Sequence, residues 1–167
     1  MSSRSNLGAV LFLTFGVGIS SVQAQSATVQ ALATVLAPIT VSGARNLDFG
    51  NVFPAVNKTI GVTAATSGRF DATGTILANV DISFTLPANL VSAANNLAIN
   101  TWTGCWNPTA NSAAVACTAF TPSGSATSVN FGAAGNLWVF VGATVAPTAG
   151  QAPGSYSGNV QMTLTYF

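Results

Sequence analysis

Charge is the scarcest property of this chain. Only 4% of its 167 residues are charged, with four Lys or Arg against three Asp or Glu, and histidine is absent. Nucleic acid is bound mainly through clustered Lys and Arg that neutralise phosphates, so the composition predicts no nucleic-acid partner. A net charge near zero also favours association between protein surfaces. We therefore expect a protein that contacts other protein.

Catalytic chemistry lacks its usual residues. Glutamate is missing along with histidine, and the only carboxylate side chains belong to Asp48, Asp71 and Asp81. General acid-base catalysis has few candidates, and a mixed Cys/His zinc site cannot be built. Arg69 and Asp71 are two residues apart, which predicts an ion pair on one strand face. The expectation is a protein that is not an enzyme, with no catalytic residues, metal site or cofactor.

The first 24 residues have the features of a secretory signal. Arg4 precedes an apolar stretch at 7–19, and Val22-Gln23-Ala24 fits the small-residue rule for cleavage. The stretch is shorter than the roughly 20 residues that a bilayer-spanning helix needs. We therefore expect an exported protein without a membrane span in its mature chain. After the signal, the predicted parts are an N-terminal extension at 25–37 and one domain at 38–167.

The two cysteines, Cys105 and Cys117, enclose a turn-rich stretch at 106–111. An even pair of cysteines at this spacing in an exported protein predicts a disulfide across a hairpin. A catalytic thiol would need a histidine partner, and the chain has none.

Apolar and polar residues alternate through most of the chain after residue 24, with almost no helical periodicity. Successive side chains of a strand point to opposite faces, so alternation predicts half-buried strands. Short strands separated by Gly, Pro, Asn and Ser predict an all-β antiparallel sandwich or barrel. The predicted strands are 27–36, 39–41, 47–50, 59–64, 69–72, 76–86, 97–106, 114–120, 126–131, 136–145 and 156–167.

The C-terminus carries the clearest alternation. Four apolar residues lie on one predicted strand face, opposite Gln161, Thr163 and Thr165. Those four are Val160, Met162, Leu164 and Tyr166. The pattern predicts a half-buried last strand, which can serve as an edge for assembly.

This C-terminus resembles that of chaperone-usher pilus subunits, which carry a glycine fourteen residues from the end, alternating apolar residues and a penultimate tyrosine. Here the glycine is Gly154 and the tyrosine is Tyr166. The stretches 38–41, 47–50, 141–144 and 154–158 also resemble a little-characterised group of exported bacterial proteins with pilin-like sandwiches. One difference is that many pilins bridge their first strands with a disulfide, whereas this cysteine pair lies mid-chain.

The resemblance implies an immunoglobulin-like, pilin-like β-sandwich that lacks one edge strand and serves as a structural subunit of a surface filament. The implied acceptor groove runs along Gly154, Val160, Met162, Leu164 and Tyr166. The candidate donor strand, supplied by a neighbouring subunit through β-augmentation, has its apolar face at Ala27, Val29, Ala31, Ala33 and Val35. The implied partners are other copies of the chain in a head-to-tail filament, a periplasmic chaperone and an outer-membrane usher. The implied localisation is the periplasm in transit and then the cell surface.

Three alternatives stay open at this point. Residues 27–35 could pair inside their own domain as an ordinary first strand. A small outer-membrane barrel also fits the length, but the residues counted back in twos from Phe167 are polar, and this parity favours the pilin interpretation. An exported sugar-binding adhesin would stack sugar rings on Trp102, Trp106 or Trp138, although tryptophans in a sandwich are more often part of the core.

Overall fold

The computed structural model describes residues 25–167, so the predicted signal at 1–24 lies outside the described residues. The chain divides into two units, with the boundary between Thr34 and Val35. In the first unit, residues 25–34 carry no secondary structure and their side chains are exposed. The strand predicted at 27–36 is therefore not formed. A strand is stable only when its backbone groups pair with another strand, and alternation alone does not supply that partner.

The second unit contains ten strands, and no helix occurs in the described part of the chain. The strands are β1 (Thr40–Arg45), β2 (Lys58–Ile60), β3 (Gly68–Thr73), β4 (Asn79–Thr85), β5 (Asn89–Ser92), β6 (Asn95–Asn107), β7 (Thr118–Phe120), β8 (Thr127–Asn130), β9 (Asn136–Ala146) and β10 (Gln161–Tyr166). Residues 25–167 accordingly offer no helix of the length and hydropathy needed to cross a membrane.

The strands form two antiparallel sheets. In the large sheet the order is β1-β3-β9-β6-β5, and β6 and β9 form its centre. The short strand β2 also pairs with β9, beyond the end of β3, and β7 pairs with β6 beyond the end of β5. The small sheet has the order β10-β4-β8. The predicted all-β antiparallel fold is confirmed.

The main core lies between the two sheets. Because alternate side chains of each strand share a face, β9 and β3 bury one set of residues against the apolar faces of β4, β8 and β10. The buried members are Ala72, Leu137, Val139 and Val141 from the large sheet, Val80, Ile82, Phe84, Val129 and Met162 from the small sheet, and Phe131. Two sheets packed through a shared apolar layer are consistent with a β-sandwich.

The strand predicted at 47–50 is not formed, and several predicted boundaries differ from the structure. The apolar residues Ile76 and Leu77 lie in an exposed turn before β4, although the predicted strand included them. The last strand begins at Gln161 rather than at 156, because Ser157 makes only an isolated bridge, to Val91. The prediction also missed β5, a four-residue strand that is too short to show clear alternation.

A β-bulge interrupts β6. The pairing of β6 with β9 shifts between Asn100 and Thr103, and Thr101 adopts a φ of 49°. The extra residue reverses the facing of the side chains that follow it. As a result Trp102 packs against the apolar cluster that contains Leu97 and Ile99.

Candidate functional site

The two central strands of the large sheet are longer than any strand of the small sheet. β9 has 11 residues, whereas the small-sheet strands have 4 to 7. At about 3.3 Å per residue, β9 spans about 36 Å and the longest small-sheet strand about 23 Å. A second apolar cluster, built on Leu97, Ile99 and Val145, contains no residue from the small sheet. A cleft of about 1080 Å³ lies over this part of the large sheet.

The cleft is lined by apolar side chains at two depths and by polar side chains, which include Arg45, Asp48 and Gln151. Its floor includes Leu97, Ile99 and Val145, which are at most 5% exposed. An occupant would mainly contact the half-buried residues nearer the opening. Each Å² of apolar surface that it removes from water would contribute about 25 cal/mol to the free energy of binding. These half-buried lining residues are Leu47, Val52, Phe70, Leu90, Tyr156 and Val160.

One wall of the cleft is the connection between β1 and β2, and its backbone is held by side chains. The Asp48 carboxylate Oδ1 accepts a hydrogen bond from the Gly50 backbone N–H at 2.7 Å. Gly50 has a φ of 57°, which glycine adopts without strain in such a turn. The Lys58 ammonium donates to the Asn51 carbonyl at 2.9 Å. These bonds hold the wall in place without an occupant.

The other wall is the connection between β9 and β10, and it is fixed at two points. The Tyr156 hydroxyl donates to the Ala152 carbonyl at 2.7 Å and accepts from the Gln151 amide Nε2 at 2.7 Å. Ser157 exchanges both backbone hydrogen bonds with Val91, at 2.8 and 3.1 Å. The cleft is therefore preformed in the single chain.

The structure divides the predicted acceptor residues between two places. Gly154 and Val160 line the cleft. Met162, Leu164 and Tyr166 lie on β10 and pack against the main core. The apolar face of the last strand thus completes the core of its own subunit, and only the residues just before the strand border the cleft.

The last strand is also a sheet edge. β10 pairs with β4 along all six of its residues, and it is the terminal strand of the small sheet within residues 25–167. The backbone groups on the other side of an edge strand are a template for a further strand. At Val160 the chain passes directly from the cleft wall into this edge strand.

The candidate donor residues are exposed. Ala27, Val29, Ala31 and Ala33 belong to the first unit, where Val29 is 96% exposed. Val35 begins the second unit and is 95% exposed. Because these apolar side chains are exposed in the single chain, their burial against another surface would contribute nearly the whole hydrophobic stabilisation of each side chain.

Tyr166 holds the start of the second unit in a way that the sequence did not indicate. Its hydroxyl donates to the Ala37 carbonyl at 2.8 Å and accepts from the Thr75 N–H at 2.7 Å. The Ala37 N–H in turn donates to the Thr75 hydroxyl at 2.6 Å. Ala37 is thereby fixed at the end of β10 remote from Val160 and the cleft.

The predicted disulfide is confirmed. Cys105 and Cys117 are bonded, with their Cα atoms 5.7 Å apart, across the hairpin of β6 and β7. Sequence reasoning missed Asn107, which is fully buried inside the closed loop. Its Oδ1 accepts from the Thr109 N–H at 2.9 Å, and its Nδ2 donates to the Ser112 carbonyl at 3.0 Å. A buried amide must find such partners, so Asn107 organises the loop.

The three tryptophans are all half-buried. Trp102 packs against the second apolar cluster and Trp106 against the main core. Trp138 lies opposite Asp71 and Asn107 on the neighbouring strands. Trp102 and Trp106 therefore belong to two different apolar clusters.

The side chains that line the cleft suit non-covalent contacts. Within residues 25–167, no three His, Cys, Asp or Glu side chains come together as metal ligands. No family model, curated protein or solved structure matches the chain. The function is therefore inferred from the cleft, the edge strand and the exposed N-terminal segment.

Proposed function

We propose that this protein is a structural subunit of a bacterial surface filament, with an immunoglobulin-like, pilin-like sandwich that is completed by a neighbouring subunit. Residues 27–35 of one copy occupy the cleft of the next. The observation that carries the proposal is a preformed, partly apolar cleft that meets an edge strand at Val160, in a chain that also has an exposed segment of alternating apolar residues.

The chemistry of the donor segment suits this cleft. In β-augmentation, main-chain hydrogen bonds provide affinity, and alternate side chains provide specificity. Many of the half-buried residues nearer the opening, among them Leu47, Leu90 and Val160, are apolar, so they suit a strand with apolar side chains at alternate positions. The inward face of the donor segment consists of alanines and two valines, Val29 and Val35.

The anchoring of Ala37 supports a head-to-tail contact. Tyr166 holds Ala37 at one end of β10, whereas Val160, at the other end, borders the cleft. A donor and an acceptor at different positions on each subunit form a heterologous interface. Such an interface produces an open filament unless its rotation closes a ring.

An open apolar cleft also explains the proposed partners. Before assembly, exposed apolar surface and an unpaired edge favour aggregation. We infer that a periplasmic chaperone covers the cleft during export, that an outer-membrane usher exchanges it for the next subunit, and that the filament stands on the cell surface. The near absence of charge agrees with a surface that is mostly covered by protein.

Gel electrophoresis tests the proposal. The exported protein and a variant lacking residues 25–34 are compared on a denaturing gel, each with and without boiling. We expect the intact protein to give a ladder that boiling abolishes, and the deletion variant to give only a monomer. A monomer band from both proteins before boiling would contradict donation of this segment.

A further inference from the structure

Two of the three cationic side chains in residues 25–167 line one small pocket. Arg45 on β1 and Arg69 on β3 are register partners, and both border a pocket of about 160 Å³ beside Phe140. Like charges placed opposite each other on neighbouring strands repel. The third cation, Lys58, lies elsewhere and donates to the Asn51 carbonyl. In a chain with so little charge, this pairing of guanidinium groups requires a reason.

Only one of the two arginines has a carboxylate partner. The Arg69 Nη2 donates to the Asp71 Oδ2 at 3.1 Å, and its Nε lies 2.8 Å from Oδ1, which confirms the predicted ion pair. Arg45 instead donates from Nε and Nη2 to the carbonyl and hydroxyl oxygens of Ser67, at 2.6 and 2.7 Å. Ser67 is neutral, and the Arg69 pair is the only salt bridge among the described residues. The charge of Arg45 is therefore not compensated there.

The rest of the pocket is built from two loops. Residues 62–65, between β2 and β3, form one side, and residues 111–114 of the disulfide-closed loop form the other. The buried Asn107 fixes the second loop through its bond to Ser112. No carboxylate lines the pocket. At about 30 Å³ per water molecule, the pocket has room for about five waters, which is enough for one oxyanion group.

We propose that this pocket binds a single oxyanion group, a sulfate, phosphate or carboxylate, through the guanidinium groups of Arg45 and Arg69. Planar guanidinium groups match such anions with charge-assisted hydrogen bonds, and the bound anion balances the charge of Arg45, which has no carboxylate partner. The group belongs to an anionic polysaccharide or is a free ion. The proposal is argued without the filament: none of the pocket residues lies in the donor segment or in β10, and Arg45 is the one residue that also lines the cleft.

Nuclear magnetic resonance of the ¹⁵N-labelled exported protein tests the site. Sodium sulfate, sodium phosphate and dextran sulfate are titrated at constant ionic strength, with sodium chloride and neutral dextran as references. We expect the Arg45 and Arg69 Nε–H signals to shift and saturate with sulfate, phosphate and dextran sulfate, and to remain unchanged with sodium chloride and neutral dextran. For both ligands the concentration is counted as sulfate groups. If dextran sulfate reaches half-saturation at a lower concentration than sodium sulfate does, the natural ligand group is carried by a polymer. If the two half-saturation concentrations are equal, the natural ligand is the free ion.

Three variants separate a built site from general electrostatics. Asn111→Asp places a carboxylate at the pocket with almost no change in shape, and we expect binding to weaken by about tenfold or more, because like charges repel at short range. Arg45→Gln should weaken binding by at least as much. Lys58→Gln removes the same charge outside the pocket and should leave binding unchanged. Shifts that do not saturate, that chloride reproduces, or that Asn111→Asp leaves unaltered would overturn the proposal, as would equal weakening by Lys58→Gln and Arg45→Gln.

Discussion

Val29 tests strand donation with a single side chain. It is 96% exposed in the chain by itself, so insertion into a neighbouring cleft removes nearly all of its surface from water. Burial of a valine stabilises by about 1.5–3 kcal/mol. Val29→Asp forfeits that gain and adds a cost of at least about 1–3 kcal/mol for a polar group placed among apolar side chains. A combined loss of about 3 kcal/mol or more weakens the subunit contact by at least about a hundredfold.

Thr28→Asp is the matched control for Val29→Asp. It introduces the same charge one residue earlier, where the side chain of a bound strand would point to the opposite face. The assay is the yield of heat-labile ladder on unboiled denaturing gels. We expect Val29→Asp to abolish the ladder and Thr28→Asp to retain it. Equal ladders from both variants, or equal loss from both, would refute insertion in the proposed register.

Three further predictions concern the stability of the subunit, each measured by urea unfolding in the Val29→Asp background, which we expect to stay monomeric. Replacing Cys105 and Cys117 by serine should cost about 3 kcal/mol by the chain-entropy model, and a loss below about 1 kcal/mol would show that the loop is held by Asn107 instead. Tyr166→Phe should cost about 1–2 kcal/mol, because the Ala37 carbonyl and the Thr75 N–H lose their shared partner. Faster amide exchange at Thr75 is expected with it, and unchanged exchange would argue against the contact. Thr101→Gly should stabilise by about 0.5–1 kcal/mol, because a β-branched residue is strained at a φ of 49°. Thr103→Gly, in the regular part of the strand, should lower the free energy of unfolding. A lower free energy of unfolding for both glycine variants would contradict strain at the bulge.

Local patterns were sufficient to predict the strands that carry most of the core. The alternation through 160–166 correctly indicated which face of β10 is buried, because a strand with one solvated face must alternate. The continuous apolar run at 137–141 is typical of a strand covered on both faces, and Phe140, on the face opposite Val139 and Val141, is only 3% exposed. The disulfide followed from two cysteines at hairpin spacing.

The cleft could not be predicted in the same way. Its lining comes from β1, β3, β5, β6, β9 and two loops, parts of which are far apart in the sequence. The cleft exists because the large sheet extends beyond the small one, and sheet sizes depend on strand pairing rather than on the pattern of any one strand. The bulge at Thr101 adds to this difficulty, since threonine gives no sequence signal for a positive φ.

The bonds of Tyr166 illustrate a second limit. Alternation predicted that its ring faces inward, and the ring does pack against the core. The partner of its hydroxyl, the Ala37 carbonyl, lies 129 residues away along the chain. Side chain to backbone contacts over such distances follow from topology, so the sequence alone does not indicate them.

A mixing experiment tests head-to-tail completion of the sandwich most directly. Val29→Asp disables the donor segment and keeps the cleft, whereas Leu90→Asp places a carboxylate on the half-buried cleft lining and keeps the donor segment. Each variant alone should remain a folded monomer in size-exclusion chromatography with light scattering. We predict that their mixture forms a one-to-one dimer and nothing longer, because only one productive contact is left. A mixture that stays monomeric, or a polymer from either variant alone, would contradict the account.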